Sequence, residues 1–299
     1  MDGPEAVAGV QDLSGVRWIQ ADVFSTVPLS GNGLAVFPEA GGLADATMAR
    51  LTQELRQFES IFLTDFPPGV AATGQVTARI FTMEEELDFA GHPVLGAASV
   101  LQHLLDPVAD RTWRLTLKAG EVSVRTERRP HGYWAEMDQG PARFGPDAPT
   151  EAAAPVLAGL GLGPGDLVEG LPVATVSTGL DYVIVPVTGG GLAKARIQGG
   201  DFERRLAALG GKFVYVLDVA AREGRTWDSR GLVEDIATGS AAGPAAAYLW
   251  RYGQAPDRLV VRQGRFAGRP SEIAVRRDPD SGTVLVGGDM VILAEGRFV

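Results

Sequence analysis

Phe89-Ala90-Gly91-His92-Pro93 and Glu234-Asp235-Ile236-Ala237-Thr238-Gly239-Ser240-Ala241 are the two stretches on which the reading of this chain turns. Each is a glycine-bearing turn between a strand-like segment and an Ala-rich segment with helical character. Residues 79–82 precede the first turn, and residues 93–105 follow it as a mostly buried helix with proline in its opening turn. Residues 226–230 precede the second turn, and residues 241–252 follow it as a small-residue helix ended by Gly253. A glycine also follows each turn at the same interval, His92 to Gly96 and Gly239 to Gly243. The same plan twice in one chain suggests two copies of one lobe. The alternative is that small residues simply let any two helices pack.

Outward from these turns, strands outnumber helices. Alternation or short apolar runs predict strands at 16–24, 59–66, 76–82, 133–137, 174–177, 182–187, 213–219, 259–263, 271–277, 283–286 and 290–295. The last two are expected to join at Gly287-Gly288. A hairpin is predicted at 114–118 and 121–126 around Ala119-Gly120. Helical spacing falls at 45–56, with Asp45 as a cap, and at 151–160 and 201–209. Residues 139–149, rich in Gly and Pro, read as a connection between lobes, and Gly189-Gly190-Gly191 as a loop. The implied division is residues 16–128, closed by a C-terminal strand at 289–299, and residues 129–288.

Composition removes several function classes. The chain has 299 residues, a formal net charge of −10 and 45% hydrophobic residues. Its only lysines are Lys118, Lys194 and Lys212, and its arginines form no basic run. Nucleic acid and anionic membranes are therefore not expected partners. With no cysteine, thiolate metal sites, Fe–S clusters and thiol nucleophiles are excluded. No apolar run is long enough to span a bilayer. The start, residues 1–15, reads as a loose leader without signal-peptide character, and a cytoplasmic location is the expectation.

Three places carry chemistry. Gly91 turns the backbone at a helix start, where free N–H groups attract anions. There His92 can donate to a carboxylate or shuttle a proton; it can equally cap its helix or sit in the core. At the second start, Asp235 either stabilises the helix end or binds substrate. Ser240 can cap the helix or bind an anion, with Thr238 assisting and Gly239 supplying backbone donors. Glu59 interrupts Phe58-Glu59-Ser60-Ile61-Phe62-Leu63. It is either an outward-facing strand residue or a carboxylate in apolar surroundings, suited to general acid/base work. Competing signatures fail. There is no H-E-x-x-H, Ser240 lacks the flanking glycines of a nucleophile elbow, and Gly211-Lys212 lacks the rest of a P-loop.

Further stretches complete a recognisable set: Asp22-Val23-Phe24, Leu29-Ser30-Gly31-Asn32, Arg79-Ile80-Phe81-Thr82, Ser177-Thr178-Gly179-Leu180, Gln263-Gly264 and Gly268-Arg269-Pro270-Ser271. With the opening motifs and the run around Glu59, the chain resembles the PhzF-like proteins. These are the phenazine-biosynthesis isomerase group that shares the diaminopimelate epimerase fold. The resemblance implies an α/β (α+β) fold of two pseudo-symmetric lobes, each a curled, mostly antiparallel sheet around a central helix, with a cleft between them. It implies no metal, no organic cofactor, a small-molecule carboxylate substrate and commonly a homodimer. It assigns the acid/base role to Glu59, catalytic contacts to His92 and Asp235, and substrate binding to Gly91, Thr238, Gly239 and Ser240. Some residues depart from the usual pattern: Gly33 and Ile236 stand where proline is usual, Phe58 and Ser60 replace Ser and Thr, and Val94 replaces Thr. The expected activity is a shift of a proton and double bonds on a small unsaturated (amino) acid in secondary metabolism. An amino-acid racemase or epimerase, and a non-catalytic binding protein on the same fold, are the alternatives.

Overall fold

The computed structural model describes residues 11–66, 69–106, 109–228 and 231–299. Most of the expected leader, and the end of the strand expected at 226–230, lie outside the described residues. The chain divides into two compact units, residues 1–137 with 289–299, and residues 138–288.

The first unit contains β1 (Arg17–Val23), β2 (Asn32–Phe37), α1 (Asp45–Leu55), β3 (Glu59–Asp65), α2 (Val70–Thr73), β4 (Gln75–Thr82), β5 (Glu86–Leu87), α3 (Gly91–Leu105), β6 (Arg111–Leu117), β7 (Gly120–Arg129) and β8 (Gly132–Asp138). β1 pairs antiparallel with β2, β2 parallel with β3, β3 antiparallel with β4, and β4 antiparallel with β5. β4 then runs parallel to β6, and β6, β7 and β8 form an antiparallel meander. α3 packs against β1, β2, β3, β6 and β7. Its residues 91–102 are all buried, as expected of a helix with sheet on several sides.

The second unit contains β9 (Arg143–Ala148), α4 (Thr150–Gly159), β10 (Val173–Ser177), β11 (Asp181–Val187), α5 (Gly189–Lys194), α6 (Phe202–Ala207), β12 (Phe213–Asp218), β13 (Glu223–Trp227), β14 (Glu234–Asp235), α7 (Gly239–Arg251), β15 (Arg258–Gln263), β16 (Ser271–Arg277) and the beginning of β17 (Val284–Arg297), whose residues from Asp289 on belong to the first unit. The pairing sense repeats step for step. β10–β11 is antiparallel, β11–β12 parallel, β12–β13 and β13–β14 antiparallel, β13–β15 parallel, and β15–β16 and β16–β17 antiparallel. α7 packs against β10, β11, β12, β15 and β16. The repeat suspected from two turns therefore extends through every core strand, and each unit wraps a sheet around one buried helix.

Several expectations are corrected. Residues 139–149 are not merely a connection, because β9 pairs with β10 (Phe144 opposite Val176). The two expected closing strands are one strand, β17, since neither Gly287 nor Gly288 takes a positive φ. Its later residues pair with β1, as in Val23 opposite Met290. Gly189-Gly190-Gly191 opens α5, whose cap Thr188 accepts from the Gly191 N–H at 3.3 Å. Asp45 does not cap α1: Ala44 holds that position, and Asp45 pairs with Arg79 at 2.6 Å. The leader's end is tied down, with the Gly15 N–H bonded to the Phe298 carbonyl at 2.9 Å. The unit boundary falls between Met137 and Asp138, at the end of β8, rather than at 128, because Arg129 and Gly132 face each other across the β7–β8 hairpin. The matched glycines are not counterparts either. Counted from the helix starts Gly91 and Gly239, Gly96 is the sixth residue and Gly243 the fifth.

Candidate functional site

Two polar clusters form, one beside the start of each central helix. In the first unit, Glu59 opens β3 and His92 is the second residue of α3. Both are buried, Glu59 8% and His92 5% exposed. His92 Nδ1 lies 3.1 Å from Glu59 Oε2 and 3.5 Å from Asn32 Nδ2. Glu59 thus faces inward rather than outward, and His92 Nδ1 meets its carboxylate.

Local geometry brings Asn32 into place. Gly31 has φ 71°, and a Cβ there would press on the Val23 carbonyl, so glycine permits the tight return that sets Asn32 opposite Val23. Asp22, fully buried, accepts from the Leu29 N–H of that loop at 2.7 Å.

Burial drives the His92 pKa from 6.5 down to about 3, against a raising backbone hydrogen bond with Gly33. The imidazole is therefore neutral at physiological pH. Its Nε2 is buried and has no hydrogen-bond partner within the chain; native proteins usually satisfy such an atom with water, an ion or a ligand. The tautomer that donates from Nδ1 to Glu59 leaves Nε2 with an acceptor lone pair.

In the second unit, Asp235 ends β14 and is 9% exposed. The Thr238 hydroxyl donates to Asp235 Oδ2. Gln263 Nε2 donates to the Asp235 carbonyl at 2.8 Å and to Thr238 Oγ1 at 3.0 Å. Gln263 Oε1 accepts from the Thr238 N–H at 3.3 Å and from the Tyr215 hydroxyl at 3.2 Å. Ser240 does not cap α7, since Thr238 is the cap residue and makes no side-chain cap bond. The Ser240 hydroxyl lies 2.9 Å from that of Tyr182. Ala90 likewise caps α3 without a side-chain bond, so neither helix start has its N–H groups taken by a cap side chain.

Sequence reasoning gave no role to Asn32, Tyr182, Tyr215 or Gln263. Asn32 and Gln263 lie inside motifs that were recognised. Tyr215 and Gln263 sit on apolar strands, where a polar side chain in a buried run was the available signal. Among the described residues, no group of three or more His, Asp or Glu could hold a metal ion. Among the same residues, no helix is long and apolar enough to cross a membrane.

The fold is of the proline racemase/epimerase type. The solved structure of a hydroxyproline epimerase from Agrobacterium vitis shares it at a TM-score of 0.58 and 14% identity, over 94% of this chain and 91% of that one. The match narrows further. The PhzC-PhzF family, phenazine biosynthesis-like protein, matches residues 21–296, and the chain belongs to that family. It is 33% identical to the trans-2,3-dihydro-3-hydroxyanthranilate isomerase of Pseudomonas aeruginosa, over 94% of this chain and 98% of that protein. It is 49% identical to a solved structure described as a predicted epimerase of Pseudomonas aeruginosa, with a TM-score of 0.88, covering 95% of this chain and 99% of that one. The chain is accordingly an isomerase of this family.

Proposed function

We propose that the protein is a cofactor-independent isomerase that moves a proton between two carbons of a small unsaturated (amino) acid in secondary-metabolite biosynthesis. The observation that carries this reading is the buried Glu59 carboxylate 3.1 Å from His92 Nδ1, with Nε2 of the same ring lacking a partner. In this reading the Glu59 carboxylate takes a proton from one carbon. The electron pair left behind shifts the double bonds, and protonated Glu59 returns the proton to another carbon. Atoms and charge balance within substrate and Glu59, and no external oxidant or reductant is needed. General acid/base transfer contributes about 10²–10⁴-fold; positioning and donors to developing charge supply the rest.

His92 Nε2 would accept a hydrogen bond from the substrate, and Asp235 and Ser240 would hold its other polar groups. The substrate carboxylate would take N–H groups at the helix starts Gly91 and Gly239. The proposal also includes a homodimer. The racemase alternative needs a proton carrier on each substrate face. The strand register sets Phe213 in the second unit at the place Glu59 holds in the first, which supports a single carrier.

Trans-2,3-dihydro-3-hydroxyanthranilate, named for the Pseudomonas aeruginosa relative, is the first compound to try. Turnover in D₂O should place deuterium on carbon in the wild-type product, and Glu59→Gln should abolish it. Full activity in Glu59→Gln would remove Glu59 from the proposed role. Loss of optical rotation from a single enantiomer of an amino acid, with no double-bond shift, would favour the racemase reading instead.

A further inference from the structure

Matching the two units by strand register exposes an exchange of residues. Phe62 lies opposite Arg79 across β3–β4, and Val216 opposite Arg225 across β12–β13. Counting along the strands makes Ile61 the counterpart of Tyr215. Thr77 lies beside Thr116 in the first unit and Glu223 beside Arg262 in the second, so Leu117 is the counterpart of Gln263. Leu87 faces Ile80 and Asp235 faces Thr226, so Leu87 matches Asp235. Ala90 and Thr238 are the two helix caps. Tyr215, Gln263, Asp235 and Thr238 in one unit thus stand where Ile61, Leu117, Leu87 and Ala90 stand in the other.

The fold does not require the polar quartet, because the first unit of the same chain builds the same arrangement without it. Burying such groups carries a desolvation cost that only complete pairing offsets. A local accommodation goes with it: a Cβ at Gly224 would strike the Tyr215 ring, whereas Ala78 takes that place beside Ile61. Tyr215 and Gln263 are 0% and 1% exposed. They make no contact with substrate in the reading given above.

We propose that Gln263, held by Tyr215, is a positioning residue that fixes Thr238 and through it the carboxylate of Asp235. The chain of hydrogen bonds has one direction. The Tyr215 O–H donates to Gln263 Oε1, which locks the amide. Gln263 Nε2 donates to Thr238 Oγ1, leaving the single Thr238 proton to point at Asp235 Oδ2. Burial holds the Tyr215 phenol well above its ordinary pKa, so it remains a donor across the working range. Asp235 Oδ2 is thereby held as the acceptor of the Thr238 proton, which orients the carboxylate as a partner for an ammonium or hydroxyl group of the substrate. This rests on the function proposed above for its kinetic arm only.

The kinetic arm uses trans-2,3-dihydro-3-hydroxyanthranilate. Thr238→Ser keeps the hydroxyl and should retain activity within about threefold, while Thr238→Val and Gln263→Leu should each lower kcat/KM by roughly 10–100-fold, as small misplacements of a catalytic group do. Because both act through one chain, the double variant should lose no more than the worse single one. Leu117 shows that leucine fits such a position; Tyr215→Phe, removing only a hydroxyl, is the milder second variant and should fall between wild type and Gln263→Leu. Losses that multiply in the double variant, or folded variants all within twofold of wild type, would overturn the proposal. The structural arm needs no substrate: crystal structures of wild type and Gln263→Leu should show the Thr238 hydroxyl turned away from Asp235 in the variant. An unchanged Thr238–Asp235 bond there would overturn the proposal. If wild type leaves the compound unreacted, the substrate assignment fails and the structural arm still decides.

Discussion

Arg79 and Arg225 hold the same place in their respective units, and each forks onto the glutamate of the following short strand. Arg79 meets Glu86 at 2.7 and 2.8 Å, and Arg225 meets Glu234 at 2.9 and 2.6 Å. Each guanidinium also lies over the ring two residues on, Phe81 at 5.1 Å and Trp227 at 4.9 Å. Their surroundings differ. Arg79 is 26% exposed and shares itself with the exposed Asp45, whereas Arg225 is 10% exposed and also donates to the Leu192 and Ala195 carbonyls. The same device has been retained in both units while the titratable groups around it were redistributed. The first unit holds the buried carboxylate–imidazole pair, and the second holds the directed hydrogen-bond chain. Duplication supplied two helix starts; substitution on neighbouring strands made them unlike.

The sharpest break in that comparison is Glu59. Glu59→Gln should lower kcat by about 10³-fold, and adding Phe213→Glu at the matching place should not restore it; rescue by Phe213→Glu, measured as deuterium incorporation, would make the units interchangeable. Next come the two arginines. Arg225→Ala removes a largely buried guanidinium from half-buried Glu234 and from the Leu192 and Ala195 carbonyls and should cost about 3 kcal/mol, while Arg79→Ala, at a more exposed pair, should cost about 1 kcal/mol or less. Thermal melting should separate the two variants by on the order of 10 °C, and equal losses would mean that burial does not distinguish them. Gly224→Ala should then destabilise through contact with the Tyr215 ring by about 1–3 kcal/mol. The pair Gly224→Ala with Tyr215→Ile, which reproduces Ala78 and Ile61, should recover part of the loss in denaturant titration. No recovery would show that the two packings are not equivalent.

The smallest effect concerns pH. The folded His92 pKa, about 3, lies below its ordinary value of 6.5. Between those values the unfolded chain binds a proton that the folded one does not, so stability should fall as pH drops from about 6.5 towards 3. His92→Gln should remove that share of the slope, approaching one proton per molecule. An unchanged slope would mean that His92 is charged in the folded state. Activity of wild type should likewise show no acid limb from His92 above about pH 4.

The sequence by itself determined the two helix starts and the duplicated plan, and it offered Glu59, His92, Asp235, Thr238 and Ser240 as candidates. Glycine turns, buried apolar runs and Ala-rich helices are local signals, and local physics sets them. The tertiary structure decided everything that depends on pairing. Whether Glu59 faces in or out is a matter of register, since one residue of slip reverses a strand's faces. That residues 143–148 form a strand rather than a connection, and that β17 runs on through Gly287-Gly288, depends on partners remote in sequence. Gln263 and Tyr215 belong to the Asp235 cluster because a parallel step, β13 to β15, lays remote segments side by side. No periodicity in one segment could have announced that, because the contact exists only where two segments meet.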